Sequence, residues 1–186
     1  MTSVYLARHG QTAYNHERRF QGRLPVPLDA TGRAQAAGLA EEASGYGFVA
    51  LWSSTLERAR ETADIVAGRI GLPVKLDDRL VETDCGDWTD RRFEDVAAEE
   101  PDAFAAFVAG DPSFAFPGGE SFAAQAARVA AVLADVEAGE LPALVVCHGQ
   151  VIRLALAGRR PGGVEATLEG SAHVGNGALV ALPALG

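Results

Sequence analysis

Two histidines in this chain each follow an apolar run and precede a glycine, which is a pattern suited to phosphate chemistry. His9 follows the short run 4–6 and lies beside Arg8, whereas His148 follows the run 144–147. We predict that both runs are buried strands of an α/β sheet, whose ligand crevices lie beyond the carboxyl ends of the strands. The sequence therefore predicts two imidazoles at strand ends, one of them next to a permanent cation.

Either histidine taken alone has a plainer interpretation. A lone histidine at a strand end is more often a hydrogen-bonded structural residue than a catalyst, and Arg-His-Gly is a short motif. Three further segments lie between the histidines and favour a catalytic role over a structural one. They are residues 53–59 (SSTLERA), residues 79–88, which contain Glu82, and residues 117–121 (PGGES).

With these motifs in this order, the chain resembles the histidine phosphatase superfamily, also called the phosphoglycerate mutase-like family. The resemblance runs from Val4 to about Leu182, which is nearly the full length. It implies a three-layer α/β/α sandwich with a mostly parallel central sheet. The alternation of predicted strands and helices along the chain favours the same α/β class.

The resemblance implies a role for each of five residues. His9 would be the nucleophile that forms a transient phosphohistidine, and His148 would bind and polarise the phosphoryl oxygens. Arg8 and Arg58 would neutralise phosphoryl charge and, by like-charge repulsion, lower the pKa of the His9 imidazole. Glu82 would be the general acid for the leaving oxygen.

The role of Glu82 has an alternative, because a glutamate in so acidic a sequence is most often a surface residue. Its support is the pattern of residues 80–88, which looks like the acid loop of the family. Thr89-Asp90 departs from that pattern, because the family commonly has Glu-Gly after the tryptophan. The departure puts the conformation of the loop in doubt more than the identity of the acid.

Further phosphate-binding candidates surround these residues. Asn15 and the pair Gln21 and Gly22 match family positions in the loop after the nucleophile, where a side-chain amide can bind a phosphoryl oxygen. Their alternative is a loop residue that satisfies its own backbone. Gly149 would allow close approach of the phosphate to the N-terminus of a helix that begins near Gln150.

Periodicity and capping residues predict the other elements. We predict a helix from Thr31, as its cap, to about Ser44, and a helix over 56–69 with Arg58 off its apolar stripe. A further helix covers 121–136, and the last strand covers 178–182. His16 and His173 match no catalytic pattern and are expected to be structural or exposed.

At 186 residues, the chain is expected to form a single domain over 1–186, with a helical insert at about 91–117. The insert carries four phenylalanines, which we expect to pack it onto the body of the domain.

Composition excludes several classes of function. The net charge of −9 argues against a nucleic-acid partner, and no apolar run approaches the roughly 20 residues of a membrane span. Cys85 and Cys147 form no CxxC pair, so neither a metal nor another cofactor is expected. No signal peptide is visible at the start, and a cytoplasmic location is the default expectation. The oligomeric state stays open, a homodimer being one option.

The expected activity is hydrolysis of small phosphate esters. A cofactor-dependent phosphoglycerate mutase is the first alternative, although mutases of the family are generally longer, with extra segments that enclose the substrate. A noncatalytic module that binds phosphorylated ligands is the second alternative. The sequence alone does not identify the substrate.

Overall fold

The computed structural model describes residues 4–160 and 174–184, so His173 lies outside the described residues. Five strands form one sheet in the order β3-β2-β4-β1-β5. They are β1 Val4–Arg8, β2 Ala50–Ser53, β3 Val74–Leu76, β4 Ala143–Cys147 and β5 Leu179–Ala181. Among these described strands, only the β1–β5 pairing is antiparallel, which confirms the predicted mostly parallel sheet.

Helices cover both faces of this sheet. In chain order they are α1 Ala13–His16, α2 Ala30–Ala43, α3 Glu57–Ile70, α4 Phe93–Glu99, α5 Pro101–Ala109, α6 Phe122–Glu137 and α7 Gly149–Ala157. Helices α2 and α3 pack on one face, against side chains that include Leu144 and Val146. Helices α6 and α7 pack on the other face, against Val145 and Cys147. Strand β4 is therefore buried on both sides, as its continuous apolar sequence requires.

The start of α2 differs from the prediction. Asp29, not Thr31, is the N-cap, and its side chain accepts a hydrogen bond from the backbone N–H of Gly32. The prediction was wrong because an aspartate two residues earlier is an equally good cap, and the sequence alone does not choose between the two. Helix α3 ends at Gly71, whose φ of 74° is the left-handed conformation favoured at this position.

The segment between the acid loop and α6 forms two short helices, α4 and α5, joined to the body by a cluster of aromatic rings. Trp88 is fully buried, and its ring packs against the rings of Phe107 and Phe116 at centroid distances of 6.0 and 5.4 Å. Its Nε1 donates to Glu100 at 3.0 Å. This cluster forms one wall of the cavity described below.

Candidate active site

Three adjacent strands deliver polar residues to one edge of the sheet. Arg8 is in register with Cys147, so the next residues, His9 and His148, leave neighbouring strands side by side. Their ring centroids lie 5.2 Å apart. Ser54 follows β2 in the same way, and its N–H donates to the carbonyl of Val146. The two imidazoles therefore meet because their strands are parallel and in register.

The tautomer of His9 is fixed by its own backbone neighbour. Its Nδ1 lies 2.7 Å from the carbonyl oxygen of Gly10, which can only accept, so the proton is on Nδ1 and the lone pair is on Nε2. The side chain is only 2% exposed. Burial lowers its pKa well below the ordinary value, and Arg58 and Arg8 lower it further. The sequence analysis named the two arginines but missed the larger effect, which is burial.

Arg58 connects His9 to the loop that follows it. Its Nε lies 3.2 Å from Nε2 of His9, and its two terminal nitrogens donate to the carbonyls of Gly22 and Leu24 at 2.8 and 3.1 Å. Burial lowers the pKa of this guanidinium to about 10, so Arg58 is still cationic at neutral pH. Thr62, one turn further along α3, accepts from the N–H of Gly10 and fixes the helix against the nucleophile loop.

His148 is fully buried and contacts a serine that the sequence analysis did not select. Its Nε2 lies 2.8 Å from Oγ of Ser54, and the same oxygen accepts from the N–H of Leu56. Nδ1 of His148 has no hydrogen-bond partner in the described part of the chain. Burial, followed by the charge of Arg58, lowers the pKa of this imidazole well below its ordinary value.

Glu82 lies at the N-terminus of α7. One carboxylate oxygen accepts from the backbone N–H of Gln150 at 3.2 Å, and the other accepts from the N–H of Thr83 at 2.9 Å and from Gln125 at 3.4 Å. The Thr83 hydroxyl in turn contacts the Gln125 amide oxygen, deep in the core. The helix terminus that the sequence analysis reserved for phosphate thus holds the Glu82 carboxylate here.

An arginine on α6 supports the backbone of the acid loop. Arg128 donates to the carbonyls of Arg79, Val81 and Glu82 at 2.8, 2.6 and 3.3 Å. The same side chain forms a two-point ion pair with Glu120, at 2.7 and 2.8 Å. Glu120 belongs to the motif at 117–121, so this ion pair links that motif to the acid loop through Arg128. Sequence reasoning missed Arg128, since an arginine on an amphipathic helix carries no distinguishing signal.

Arg8 and Gly149 lie together at the start of α7. A terminal nitrogen of Arg8 donates to the carbonyl of Val174 at 2.9 Å. A Cβ on Gly149 would lie 3.4 Å from the guanidinium carbon of Arg8, which is ordinary van der Waals contact, so the glycine and the guanidinium pack directly against each other. Burial lowers the pKa of Arg8, and the nearby Glu82 carboxylate opposes that shift.

The loop after His9 places Asn15, Gln21 and Gly22 at the same cavity. The Asn15 side-chain oxygen accepts from the Thr12 N–H in a capping box, and also from the side chain of Asn176 at 3.2 Å. The Gln21 side-chain oxygen accepts from the Thr12 hydroxyl at 2.8 Å. The Asn15 oxygen therefore satisfies the local backbone, which is the alternative left open above, whereas the Gln21 oxygen binds a side-chain hydroxyl. Gly22 has a φ of 49° and contributes its carbonyl to Arg58 rather than an N–H to the phosphate in this arrangement.

Most of these groups line one cavity of about 460 Å³, whereas His148 and Ser54 are fully buried and are not among its lining residues. Its polar part is formed by Arg8, His9, Asn15, Gln21, Gly22, Arg58, Glu82 and Gly149. His16 is exposed and lies apart from this cavity. Cys85 reaches the cavity wall, where burial raises the pKa of its thiol, so it is no thiolate nucleophile. Within residues 4–160 and 174–184, no three histidine, cysteine or carboxylate side chains gather as a metal site would require.

This arrangement of residues has known counterparts. A sequence model of the histidine phosphatase superfamily (branch 1) matches residues 4–182. The chain belongs to the histidine phosphatase superfamily.

Relatives within the histidine phosphatase superfamily include both mutases and phosphatases by name. The probable phosphoglycerate mutase GpmB of Salmonella paratyphi B is 39% identical over 152 residues, which cover 80% of this chain and 70% of that protein. A mycobacterial glucosyl-3-phosphoglycerate phosphatase, solved with VO3, is 33% identical, with a TM-score of 0.87 over 96% of this chain and 90% of that one. A putative alpha-ribazole-5'-P phosphatase from Escherichia coli is 31% identical, with a TM-score of 0.78 over 96% and 88%.

The histidine phosphatase fold of this chain contains no helix able to cross a bilayer in its described part.

Proposed function

We propose that this protein is a phosphomonoesterase that hydrolyses small phosphate esters through a phosphohistidine on His9. The observation that carries the proposal is the protonation pattern of His9. Its Nδ1 is bound to the Gly10 carbonyl, and its pKa is depressed by burial and by two arginines. Nε2 therefore holds a lone pair over a wide pH range, which a nucleophile requires.

In the first half-reaction, Nε2 of His9 attacks phosphorus and the bond to the ester oxygen breaks. Arg8 and Arg58 neutralise charge on the phosphoryl oxygens, and Arg58 exchanges its present acceptor, Nε2, for one of those oxygens. Protonated Glu82 donates its proton to the departing oxygen, so the product leaves as an alcohol. The amide nitrogen of Asn15 is available as a further donor, because its oxygen is bound to Thr12.

His148 contributes as a neutral donor in this mechanism. The Ser54 hydroxyl accepts from the N–H of Leu56, so it can direct its own proton to Nε2 of His148. That tautomer carries a proton on Nδ1, which a phosphoryl oxygen can accept. A neutral donor suits a site that already holds two guanidinium groups.

In the second half-reaction, the Glu82 carboxylate accepts a proton from water as the water oxygen attacks phosphorus. The bond from phosphorus to Nε2 breaks, which releases inorganic phosphate and restores both the lone pair of His9 and the proton of Glu82. The enzyme thus returns to its initial state with no other reactant.

A phosphoglycerate mutase is the second candidate, favoured by the names of the curated relatives. In a mutase the phosphoryl group returns to a bound glycerate, so water has to be excluded. Val108 lines the cavity and is 54% exposed, so residues 4–160 and 174–184 do not enclose the cavity at this residue, which supports hydrolysis.

Trapping the phosphoenzyme tests the proposal directly. Purified protein is mixed with p-nitrophenyl phosphate, quenched in base and digested, and the peptide containing His9 is examined by mass spectrometry for an added phosphoryl group. We expect phosphate release, a base-stable and acid-labile adduct on His9, and inhibition by vanadate. Turnover with no adduct would overturn the phosphohistidine. Interconversion of phosphoglycerates without phosphate release would favour the mutase, and binding of phosphate without either reaction would favour a noncatalytic module.

The same proposal covers the whole chain as one catalytic domain that acts in the cytoplasm on small phosphorylated compounds. Its two cysteines are unpaired, in keeping with a reducing compartment. Limited proteolysis and cell fractionation test these two points, and light scattering distinguishes a monomer from a homodimer.

A further inference from the structure

The active-site cavity extends beyond the phosphate-binding groups along an apolar wall. The wall consists of four phenylalanines and one valine, namely Phe20, Phe93, Phe107, Phe116 and Val108. Val108 is 54% exposed. A single exposed apolar side chain is ordinary on a protein surface, so the observation that points to a ligand is that Val108 continues the apolar surface of the phenylalanines in one cavity.

The wall is preformed. The ring of Phe20 packs on Phe93 at a centroid distance of 4.3 Å and on Phe107 at 5.4 Å, and Phe107 packs on Phe116 at 5.5 Å. Each ring is thus held by at least one other ring, and a ligand that lies against them need not order the side chains first. A preformed apolar surface favours binding, because its side chains are already ordered and lose little conformational entropy when a ligand binds.

Two cationic side chains that line the cavity, Arg19 and Arg153, are hydrogen-bonded within the protein, whereas the side-chain nitrogen of Gln150 has no hydrogen-bond partner in the described part of the chain. Arg153 donates to the carbonyls of Phe107 and Val108 at 3.4 and 2.8 Å, which ties the end of α5 to α7. Arg19 donates to Asp90 at 2.6 Å. The acidic residues of the insert also lie elsewhere, since Glu100 and its neighbour are ion-paired with Arg91.

We propose that the site selects phosphate monoesters whose leaving group carries an aromatic or similarly flat apolar ring. The ring lies on the phenylalanine wall while the phosphoryl group lies at His9. A cavity of about 460 Å³ is large enough for such an ester, within the usual range for small-molecule sites. A small hydroxylated leaving group such as glycerate would leave the wall in contact with water. This inference rests on the proposed function. The following experiments distinguish a failure of the inference from a failure of the proposed function.

The first experiment compares esters of primary alcohols, among which the phenylethyl and ethyl esters differ only by the ring and the glycerol ester adds hydroxyl groups. We measure kcat/KM for 2-phenylethyl phosphate, ethyl phosphate and glycerol 3-phosphate. Transfer of one phenyl ring out of water strengthens binding by a factor of roughly 10 to 100. We therefore expect kcat/KM for the phenylethyl ester to be at least about tenfold higher than for the other two esters. Equal values for the three esters would overturn the inference and leave the phosphomonoesterase intact.

The second experiment measures binding without chemistry. Calorimetric titration with 3-phenylpropylphosphonate and with propylphosphonate compares ligands that cannot be hydrolysed. Tighter binding of the phenyl compound is expected even if the protein hydrolyses no ester, in which case the proposed function alone would fail. Equal dissociation constants would overturn the apolar subsite.

Variants locate the preference on the wall. Phe93→Ala shortens the wall at a half-buried position, and Val108→Ser makes it polar at an exposed position where folding is little affected. We expect each to lower the ratio of kcat/KM for phenylethyl over ethyl phosphate, by roughly three- to tenfold for Phe93→Ala. Val49→Ser, at a valine that is 45% exposed and outside the cavity, is the matched control and should keep the ratio. An unchanged ratio in both wall variants would refute the assignment.

Discussion

The Nε of Arg58 lies 3.2 Å from Nε2 of His9, so a buried cation and the lone pair of a buried imidazole are in direct contact. Burial by itself disfavours protonation of the imidazole, and the neighbouring guanidinium adds to that effect. The contact also places the cation within reach of any group bound to Nε2.

Replacing Arg58 should impair both the rate and the pH profile. For Arg58→Ala we expect kcat to fall about 10²- to 10³-fold, as for loss of one donor to a developing anion. The pKa of His9 should rise toward its ordinary value, because a repelling charge is gone, and the acidic limb of kcat/KM should move to higher pH. Arg60→Ala, on the exposed side of the same helix, is the control. A normal pH profile in Arg58→Ala would contradict the electrostatic role.

Stability should depend on pH through the two buried histidines. Both have pKa values well below the ordinary value of about 6.5, so the unfolded chain binds more protons than the folded one as pH falls through 6.5. The free energy of unfolding should therefore decrease below pH 6.5, by up to about 1.4 kcal/mol per pH unit for each histidine. Urea unfolding at pH 7.5, 6.5 and 5.5 measures the slope.

His9→Gln provides the comparison for that slope. It removes one of the two titrating groups, so its slope between pH 6.5 and 5.5 should be smaller than that of the wild type. Equal slopes would mean that His9 is not buried in its neutral form.

Glu82→Gln should affect poor leaving groups most. We expect hydrolysis of alkyl phosphates to slow by roughly 10²- to 10⁴-fold, because the alkoxide can no longer receive a proton. p-Nitrophenyl phosphate should be affected much less, since nitrophenolate leaves without protonation. Rates for both esters in Glu82→Gln and in Asp87→Asn, an exposed carboxylate of the same segment, measure the difference. A uniform loss on both esters would remove Glu82 from the role of acid.

Arg128 should act as a positioning residue for that acid. Its pair with Glu120 is largely buried, the side chains being 16% and 11% exposed. Arg128→Ala removes the shorter of the two ion pairs of Glu120, which keeps Arg23 at 3.4 Å, so we expect a loss of about 1–3 kcal/mol in the free energy of unfolding. The remaining activity should show the same leaving-group dependence as Glu82→Gln. Arg128→Lys should recover part of the stability, but a variant with a normal leaving-group profile would limit Arg128 to a purely structural role.

Two glycines of α2 should respond in opposite ways to alanine. A Cβ on Gly32 would lie 2.0 Å from the carbonyl oxygen of Gln11, whereas a Cβ on Gly38 would meet nothing within 4 Å. Gly32→Ala should cost about 1–3 kcal/mol and lower kcat, because the displaced backbone follows the nucleophile. Gly38→Ala should add about 0.5–1 kcal/mol, as alanine does in an exposed helix interior. Thermal unfolding and phosphate release compare the two, and equal effects would contradict the close approach.

The sequence by itself determined the fold class and which residues lie together at the carboxyl ends of neighbouring strands. The runs before His9 and His148 are continuous and apolar, which is the local requirement of buried parallel strands, and the motifs between them resemble one family. Helix caps were less determined, as the choice of Asp29 over Thr31 shows, because neighbouring polar residues compete on nearly equal terms.

Only the tertiary structure decided how these groups are protonated and supported. Burial of His9 depends on elements distant in sequence, so its dominant effect on the pKa had no local signal. The contacts of Arg128 with the acid loop, and of Ser54 with His148, likewise join segments 46 and 94 residues apart. Side-chain types and spacing are local properties, whereas desolvation and long-range hydrogen bonds exist only once the chain has packed.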